Sequence, residues 1–271
     1  MWNSGAMAII ITGAGSGIGA GLAVSYLEDG FDVLLADLNE AAATEVADAA
    51  AGLPGTAVPV ACDVREPDDV RATVDLALTR FGSITAMVNN AGISVAGHSH
   101  AMELAHWERA VDVNLRGVIH GVHAVLPHMV HAGRGQIVNV ASLAGLVPTP
   151  ALAAYSATKA AVVAMTLSLR AEYSNSGVQV NVVCPGFTDT PLLDSLGPAD
   201  LPEVPSPMGS ARDFAETLPG GVYQLDHLIA DIREGLREDR AIIVAPEMAR
   251  QAWQAFRADP ERYLAAVTMG V

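Results

Sequence analysis

The chain contains 271 residues, of which 51% are hydrophobic, and its formal net charge is -15. This length and apolar content allow a large buried core, whereas so strong a negative charge argues against nucleic acid or an anionic membrane as a partner. Two cysteines are too few for a disulfide framework, and the sequence shows neither a signal peptide nor an apolar run long enough to span a bilayer, so we expect a cytoplasmic protein.

Short apolar runs alternate with longer helical patterns along the chain, which is typical of β-α-β units around a parallel sheet. Strands are predicted at Ala8–Thr12, Asp32–Ala36, Ala57–Cys62, Ile84–Asn89, Gln136–Ala141, Gln179–Cys184 and Ala241–Val244. Helices are predicted at Ile18–Glu28, Glu40–Ala51, Pro67–Arg80, Leu115–His131, Ala154–Tyr173 and Val222–Arg237. The pattern predicts one α/β domain over residues 1–271: a doubly wound Rossmann-type fold with a seven-stranded, mainly parallel sheet and helices on both faces.

A glycine-rich loop joins the first predicted strand to the first helix. Its sequence is Thr12-Gly13-Ala14-Gly15-Ser16-Gly17-Ile18-Gly19. Glycines let the backbone turn tightly and approach a pyrophosphate, whose charge is met by amide groups at the helix N-terminus. The residues of this loop expected to bind a dinucleotide are Gly13, Ser16, Gly17, Ile18 and Gly19.

The second predicted strand leads into Asp37, which we expect to bind the adenosine ribose. A carboxylate at this point of a β-α-β unit can accept hydrogen bonds from both ribose hydroxyls and would repel a 2'-phosphate. Neither Ser16 nor Leu38 supplies a compensating positive charge. NAD is therefore favoured over NADP. The alternative is that Asp37 only caps the helix that starts near Asn39.

Seven of the eight histidines lie between His98 and His131. His120 with His123, and His128 with His131, have the spacing of neighbours on a helix, but no carboxylate or cysteine completes a ligand pattern, so we expect no metal site. A solvated or subunit-facing stripe is the better account. His98 and His100 fall in a loop that could border a substrate, and a substrate contact and a surface role are both open for them.

Lys159 is the only lysine of the chain, and it follows Tyr155 by four residues. That step on a helix brings both side chains to one face, where a compact ammonium can sit beside a phenol. An adjacent cation favours the phenolate and would lower the pKa of the tyrosine. The pair therefore predicts a general acid/base, the alternative being a chance placement.

Residues 187–221 are rich in proline and glycine, and we predict that they form a lid; a surface excursion without function is the alternative. The apolar residues that this lid would supply are Phe187, Leu192, Leu193, Leu196, Leu201, Met208 and Phe214. The loop Leu143–Leu152 adds Leu146, Val147 and Pro148. A site covered by these side chains would take a rather apolar small molecule.

The motifs together resemble the short-chain dehydrogenase/reductase family, in its compact single-domain branch, along almost the whole chain. The residues that match the family's motifs are Thr12, Gly13, Gly17 and Gly19; Asn89-Asn90-Ala91-Gly92; Asn114; Ser142; Tyr155 and Lys159; and Pro185-Gly186 followed by Thr188 and Thr190.

The resemblance implies a role for each catalytic residue. Tyr155 would exchange a proton with the substrate oxygen while a hydride passes to or from the nicotinamide. Lys159 would bind the nicotinamide ribose and stabilise the phenolate. Ser142 would hydrogen-bond the substrate oxygen. Asn114 would hold a water that connects Lys159 to solvent, although it could instead be a helix-breaking or capping residue.

The resemblance also implies the remaining cofactor contacts. Asp63 and Val64 would meet the adenine, and Asn90 and Gly92 would line the cofactor cleft. The segment that binds the nicotinamide carboxamide and closes over it would contain Pro185, Gly186, Thr188 and Thr190. A capping role in the turn into Pro191 is the alternative for Thr190.

The function implied is the NAD-dependent, reversible oxidation of a secondary alcohol to a ketone. One alternative is a β-ketoacyl thioester reductase, but it would usually prefer NADPH and dock an acidic carrier, which Asp37 and the net charge of -15 disfavour. A catalytically silent NAD-sensing regulator is another, but it would not need the proton-transfer residues. The apolar helices Leu115–His131 and Ala154–Tyr173 and the resemblance both predict a homodimer or homotetramer.

Overall fold

The computed structural model describes residues 8–195, 197–198, 200–205, 210–218 and 220–268. Seven strands form one sheet in which every pairing is parallel. They are β1 (Ala8–Thr12), β2 (Asp32–Asp37), β3 (Ala57–Ala61), β4 (Ile84–Asn89), β5 (Gly135–Val140), β6 (Val178–Pro185) and β7 (Ile242–Ala245). The predicted sheet is confirmed, and each strand lies within a few residues of its predicted bounds.

The strand order is β3-β2-β1-β4-β5-β6-β7. From β1 the chain moves outward to β3, and it then crosses back so that β4 pairs with the other side of β1. The loops that follow β1 and β4 therefore diverge to opposite faces of the sheet. A crevice opens at such a reversal, beyond the carboxyl ends of the strands, and that is where open α/β sheets bind ligands.

Helices flank the sheet and include all six predicted from the sequence. They are α1 (Gly17–Glu28), α2 (Glu40–Ala49), α3 (Pro67–Phe81), α4 (Leu104–Val111), α5 (Gly117–Ala132), α6 (Ala153–Glu172), α7 (Ala211–Thr217), α8 (Leu225–Arg237), α9 (Glu247–Ala258) and α10 (Pro260–Val267). Sequence reasoning missed α4, α7, α9 and α10. No helix in the described ranges is both long and apolar enough to cross a bilayer.

The core consists of two apolar layers, one on each face of the sheet. Successive residues of a strand point to opposite faces, so Ile9 and Ile11 of β1 belong to one layer and Ile10 to the other. All three are essentially inaccessible to solvent. Because both faces of the sheet are covered, the strand sequences are continuously apolar and do not alternate apolar with polar residues.

A chain of buried amides links the sheet to α6. The side chain of Asn89 on β4 donates to Oδ1 of Asn139 on β5 at 2.8 Å, and Asn139 donates to Oγ1 of Thr166 on α6 at 3.0 Å. Breaking either bond would leave a buried polar group without a partner, so the bonds hold α6 in position against the sheet. This matters because α6 carries Tyr155 and Lys159.

The contact between α5 and β4 gives the first prediction. A Cβ atom at Gly121 would lie 1.8 Å from Oδ1 of Asn89. Alanine is about 1 kcal/mol better than glycine inside a helix. The clash outweighs that gain, and we expect Gly121→Ala to lower the free energy of unfolding by about 2 kcal/mol in urea denaturation. His123→Ala, on the exposed face of α5, is the control, and an unchanged midpoint for Gly121→Ala would contradict this packing.

Candidate active site

The glycine-rich loop is shaped by close backbone contacts at the end of β1. Gly13 and Gly17 have φ angles of 65° and 52°, a region that favours glycine. A Cβ atom at Gly19 would lie only 2.1 Å from the carbonyl oxygen of Gly13. The first turn of α1 therefore packs directly onto the loop and leaves its amides available to an anion.

Thr12 and Asn90 hold the loop beside the end of β4. Oγ1 of Thr12 accepts hydrogen bonds from the backbone amides of Asn90 at 3.0 Å and Ala91 at 3.1 Å. The Asn90 side chain donates in return to the carbonyl oxygens of Thr12 at 2.9 Å and Gly13 at 3.0 Å. These reciprocal bonds join the two predicted cofactor segments across the crevice between β1 and β4.

Asp37 lies at the end of β2, next to the same loop. Its carboxylate accepts from the amide of Gly15 at 2.8 Å and from the amide of Asn39 at 2.9 Å. The cap of α2 is Asn39, whose side chain accepts from the amide of Ala42. The alternative that Asp37 itself caps this helix is therefore wrong, and its carboxylate faces the glycine loop.

Asp63 and Val64, the predicted adenine contacts, follow β3. The Asp63 carboxylate is paired with the Arg65 guanidinium at 2.5 Å, and this bond holds the pKa of Asp63 below its usual range. Val64 is buried against Gly117, and its carbonyl oxygen lies 2.8 Å from Nδ1 of His120. The sequence analysis did not anticipate the pairing of Asp63 with Arg65.

Asn114 sits in a single π-helical turn, residues 112–116, between α4 and α5. Such turns inside a continuous helix are often found at functional sites. The Asn114 side chain is fully buried, accepts from the amide of Ile93 at 2.8 Å and donates to its carbonyl oxygen at 3.0 Å. The residue neither breaks nor caps a helix, so that alternative is wrong. The Asn114 and Lys159 side chains both border Gly92: a Cβ atom there would lie 3.2 Å from Oδ1 of Asn114 and 3.3 Å from Nζ of Lys159.

Ser142, Tyr155 and Lys159 converge where β5 meets α6. Nζ of Lys159 donates to the carbonyl oxygen of Val140 at 3.0 Å and lies 5.6 Å from the centroid of the Tyr155 ring. Oγ of Ser142 accepts from the amide of Ala144 at 3.1 Å, and Ser142 also hydrogen-bonds Tyr155. The predicted pair on one helical face is therefore present, together with the predicted serine.

Burial determines the proton affinities of this group. It lowers the pKa of Lys159 to about 8, because an ammonium is disfavoured away from water. It also raises the pKa of Tyr155, against the smaller lowering effect of the Ser142 hydrogen bond. The expectation that Lys159 would depress the pKa of Tyr155 is thus wrong for this structure: the Lys159 ammonium donates to the Val140 carbonyl oxygen, and desolvation of the phenol is the largest effect on the pKa of Tyr155.

The segment after β6 crosses the front of the glycine loop. A Cβ atom at Gly17 would lie 3.2 Å from Cβ of Thr190. Thr190 precedes a short 3-10 turn at Pro191–Asp194 but makes no side-chain capping bond to it, and its hydroxyl donates to the Thr188 carbonyl oxygen at 3.3 Å. Thr190 is therefore placed over the cofactor loop and does not serve as a cap.

One cavity of about 630 Å³ connects these groups. The predicted site residues that line it are Ile18, Asn90, Gly92, Ser142, Tyr155, Lys159, Pro185, Gly186, Thr188 and Thr190. Gly13, Ser16, Gly17, Gly19, Asp37, Asp63, Val64 and Asn114 are not among its lining residues. Asn114 is buried behind Gly92 and Lys159, whereas Asp37 ends β2 and Asp63 follows the neighbouring strand β3.

The apolar substrate wall agrees only partly with the prediction. Predicted side chains that line the cavity are Phe187, Leu192, Leu193, Phe214, Val147 and Pro148. Leu201 lines a separate cavity of about 200 Å³ with His106, and Leu146 packs into the core. Leu196 and Met208 lie outside the described residues. The predicted lid also contains α7, a helix that the sequence analysis did not predict within this proline-rich segment.

Neither His98 nor His100 is among the residues lining this cavity; they stack on each other with ring centroids 5.3 Å apart. The sequence analysis missed Ser94 and the whole contribution of α9 and α10, which line the cavity through Met248, Ala249, Ala252, Tyr263, Ala266 and Val267. A polar residue after Asn89-Asn90-Ala91-Gly92 could have been a signal for Ser94. No local signal marks the C-terminal helices as part of a site.

The chain has clear relatives. A family model described as short chain dehydrogenase matches residues 7–200. Cyclohexanol dehydrogenase of Acinetobacter sp. is 36% identical over 193 residues, which is 71% of this chain and 77% of that protein. The 2-(S)-hydroxypropyl-CoM dehydrogenase 3 of Xanthobacter autotrophicus is 38% identical over 237 residues, 87% of this chain and 91% of the relative. A solved short chain dehydrogenase/reductase from Burkholderia phymatum, in complex with NAD, has a TM-score of 0.84 and 30% identity, covering 97% of this chain and 96% of that one.

The buried ammonium gives the second prediction, a pH-dependent stability. Below about pH 8 Lys159 is protonated in both the folded and the unfolded chain, and the full desolvation penalty opposes folding. Between about pH 8 and the ordinary pKa of 10.5 the folded chain loses this proton first. The free energy of unfolding should therefore rise with pH in wild type relative to Lys159→Met, by up to about 3 kcal/mol. Urea denaturation at about pH 7, 8, 9 and 10, which spans this titration, measures the difference, and a constant difference would contradict a depressed pKa.

Proposed function

Because the chain belongs to the short-chain dehydrogenase/reductase family, we propose that it is an NAD-dependent oxidoreductase that interconverts a secondary alcohol and a ketone. The observation that carries the proposal is the convergence of Ser142, Tyr155 and Lys159 on one cavity that also reaches Ile18 of the cofactor loop and Thr190 above it. The names of two relatives, a cyclohexanol dehydrogenase and a 2-(S)-hydroxypropyl-CoM dehydrogenase, describe oxidation of secondary alcohols and support the reaction class.

The residues around the glycine loop fit a nicotinamide dinucleotide. The loop keeps its tight path only with glycine at Gly13 and Gly19, where a Cβ atom would meet backbone atoms closer than 3.0 Å. Glycine amides at the start of α1 would hold the pyrophosphate. When bound, the nicotinamide supplies a carbon that accepts or donates a hydride.

The preference for NAD over NADP rests on Asp37. Both of its carboxylate oxygens are held by backbone amides, so the carboxylate is fixed in place. Within the described residues its hydrogen-bond partners include no cation that could neutralise a 2'-phosphate. A ribose with two free hydroxyls would satisfy the carboxylate, whereas a phosphate would be repelled. The Burkholderia phymatum structure in complex with NAD supports this assignment.

Tyr155 would transfer the proton and Ser142 would orient the substrate oxygen. Because burial raises the pKa of Tyr155, its phenol is protonated at neutral pH and can donate to the oxygen of a ketone as negative charge develops there. In the reverse direction the phenol must first lose its proton. The Ser142 hydrogen bond and the nearby Lys159 ammonium would both stabilise that phenolate.

Lys159 would carry the proton onward. Its pKa of about 8 allows it to gain and lose a proton near neutral pH, which an arginine could not do. Gly92 leaves room for Nζ of Lys159 and Oδ1 of Asn114 to approach the same point. We place a water there as the link between Lys159 and solvent, with Asn114 as the residue that positions it.

Residues 187–221 would act as a lid over the cavity. Phe187 and Phe214 form an edge-to-face pair with ring centroids 5.9 Å apart, which packs α7 onto the segment after β6. Arg212 of α7 also pairs with Asp189 at 2.9 Å and Asp194 at 2.6 Å. These contacts tie the predicted nicotinamide segment to the apolar wall, so that closure would exclude water from both.

We also propose a cellular location, an oligomeric state and a substrate that is not attached to a carrier protein. Cys62 and Cys184 are unpaired and buried, which suits a reducing cytoplasm. Ile119 and Val130 of α5 are each 41% exposed, and an apolar stripe of this kind supports assembly into a homodimer or homotetramer. The net charge of -15 disfavours an acidic carrier protein as the substrate donor.

The third prediction tests the acid/base. Tyr155→Phe removes the exchangeable proton and keeps the ring, so we expect NADH affinity to be retained while kcat falls by about 1,000-fold or more. Steady-state rates with secondary alcohols and NAD, and NADH binding followed by fluorescence, measure the two effects. Tyr173→Phe, at the far end of α6, is the matched control and should keep full activity. Near-normal turnover by Tyr155→Phe would remove Tyr155 from its role.

The fourth prediction tests the cofactor preference. Asp37→Ala removes the carboxylate that repels a 2'-phosphate, and we expect the ratio of kcat/KM for NAD to that for NADP to fall by about tenfold or more. Asp48→Ala, on the exposed face of α2, removes the same charge away from the loop and should leave the ratio unchanged. An unchanged ratio in Asp37→Ala would mean that the ribose is recognised elsewhere.

A further inference from the structure

Ser94 lines the active-site cavity from the segment that follows β4. Its neighbours in the sequence, Ile93 and Val95, both pack into a small apolar cluster between α4 and α6. Because the two flanking side chains are taken up by this cluster, the side chain of Ser94 faces the cavity. It is a polar group in a cavity whose walls are mostly apolar.

The backbone around Ser94 is held on both sides. The Asn114 side chain accepts from the amide of Ile93 at 2.8 Å and donates to the carbonyl oxygen of the same residue at 3.0 Å. Val95 is 1% exposed and packs in the cluster that includes the start of α6, the helix that carries Tyr155. Ser94 therefore keeps a set position relative to Tyr155, and this position does not depend on the lid.

The Ser94 hydroxyl has no hydrogen-bond partner among the residues that the structure describes, although Ser94 is only 9% exposed. Tyr155 and Ser142 bond to each other, and Tyr263 is partly exposed and can reach water. The other polar side chains that line the cavity donate to backbone carbonyl oxygens; they are Asn90, Thr149, Lys159, Thr188, Thr190 and Thr268. A ligand that presented only carbon to Ser94 would displace water from its hydroxyl and supply no partner, which is unfavourable.

Ser94 is set apart from the groups that would hold the reacting oxygen. Ser142 stands two residues past the end of β5, whereas Ser94 stands five residues past the end of β4, the neighbouring parallel strand. Gly92, which borders Nζ of Lys159, precedes Ser94 by two residues. The chain has thus passed the proposed proton-transfer groups before it reaches Ser94. An oxygen bound by Ser94 would be separate from the one bound by Ser142 and Tyr155.

We propose that Ser94 is a specificity-determining residue that hydrogen-bonds a second oxygen of the substrate, and that the site favours diols and hydroxyketones over alcohols and ketones with a single oxygen. This inference deepens the proposed function and rests on it. A serine hydroxyl can donate to a carbonyl oxygen, and it can both donate to and accept from a hydroxyl, so either group satisfies it. The apolar walls of the cavity would contact the carbon skeleton between the two oxygens.

The test compares the NAD-dependent oxidation of cyclohexanol with that of each positional isomer of cyclohexanediol, which keeps the ring and adds one uncharged hydroxyl. In wild type, kcat/KM for at least one diol should exceed that for cyclohexanol by about tenfold or more. Ser94→Ala removes the partner of the second hydroxyl and should lower this ratio by about tenfold or more. Ser94→Thr keeps a hydroxyl at the same position and should stay within about threefold of the wild-type ratio.

Thr149→Val is the matched control. It removes from the same cavity a hydroxyl that already donates to the Val147 carbonyl oxygen, and it should change the ratio of diol to cyclohexanol by less than about twofold. NADH affinity and the thermal midpoint report whether each variant is folded. The inference is overturned if wild type prefers no diol, or if Ser94→Ala lowers kcat/KM equally for cyclohexanol and the diols. A loss of NADH affinity in Ser94→Ala with an unchanged ratio would also overturn it, because the partner would then be the cofactor.

Binding separates this inference from the proposed function. Calorimetry of cyclohexanol and the diols with the Tyr155→Phe enzyme and NAD, with and without Ser94→Ala, measures selection without turnover. If wild type oxidises none of these alcohols, the proposed function fails for this substrate class. A binding preference of about tenfold for a diol that Ser94→Ala removes would still support the contact with a second oxygen. Binding of no diol, or a preference that Ser94→Ala leaves intact, would overturn it.

Discussion

The buried ammonium of Lys159 is the interaction on which the site depends. It is removed from water, and its hydrogen bond to the Val140 carbonyl oxygen joins α6 to the last residue of β5. Ser142 follows that strand, and Tyr155 lies one helical turn before Lys159, so one bond places all three groups together. Burial is also what lowers the pKa of the ammonium to about 8. The same desolvation that costs stability makes the lysine able to exchange a proton near neutral pH.

The cofactor side of the site follows from the order of the strands. Because β1 pairs with both β2 and β4, the loops after β1 and β4 leave the sheet in opposite directions and open a crevice. The reciprocal bonds between Thr12 and the Asn90 segment span that crevice and hold the glycine loop open to an anion. Asp37 reaches the loop because β2 is the immediate neighbour of β1. The residues expected to recognise the cofactor thus lie at the ends of adjacent strands, and short sequence motifs are enough to identify them.

The substrate side has a different origin. The proposed lid after β6 and the helices after β7 cover the cavity with apolar groups. The proposed reaction requires of these segments only that their shape and charge suit the substrate. A substrate preference can therefore change there while the proposed catalytic residues stay fixed by β5 and α6, which is consistent with relatives whose names describe different alcohols.

The sequence by itself determined the features that depend on local spacing. Apolar runs gave the seven strands, the glycine loop gave the start of α1, and the step from Tyr155 to Lys159 gave the shared helical face. Only the tertiary structure showed that burial raises the pKa of Tyr155, that Arg65 pairs with Asp63, that Asn114 lies in a π turn, and that α9 and α10 line the cavity. Each of these depends on which distant segments exclude water from a group, and solvent exclusion is set by packing across the whole fold, which no local pattern records.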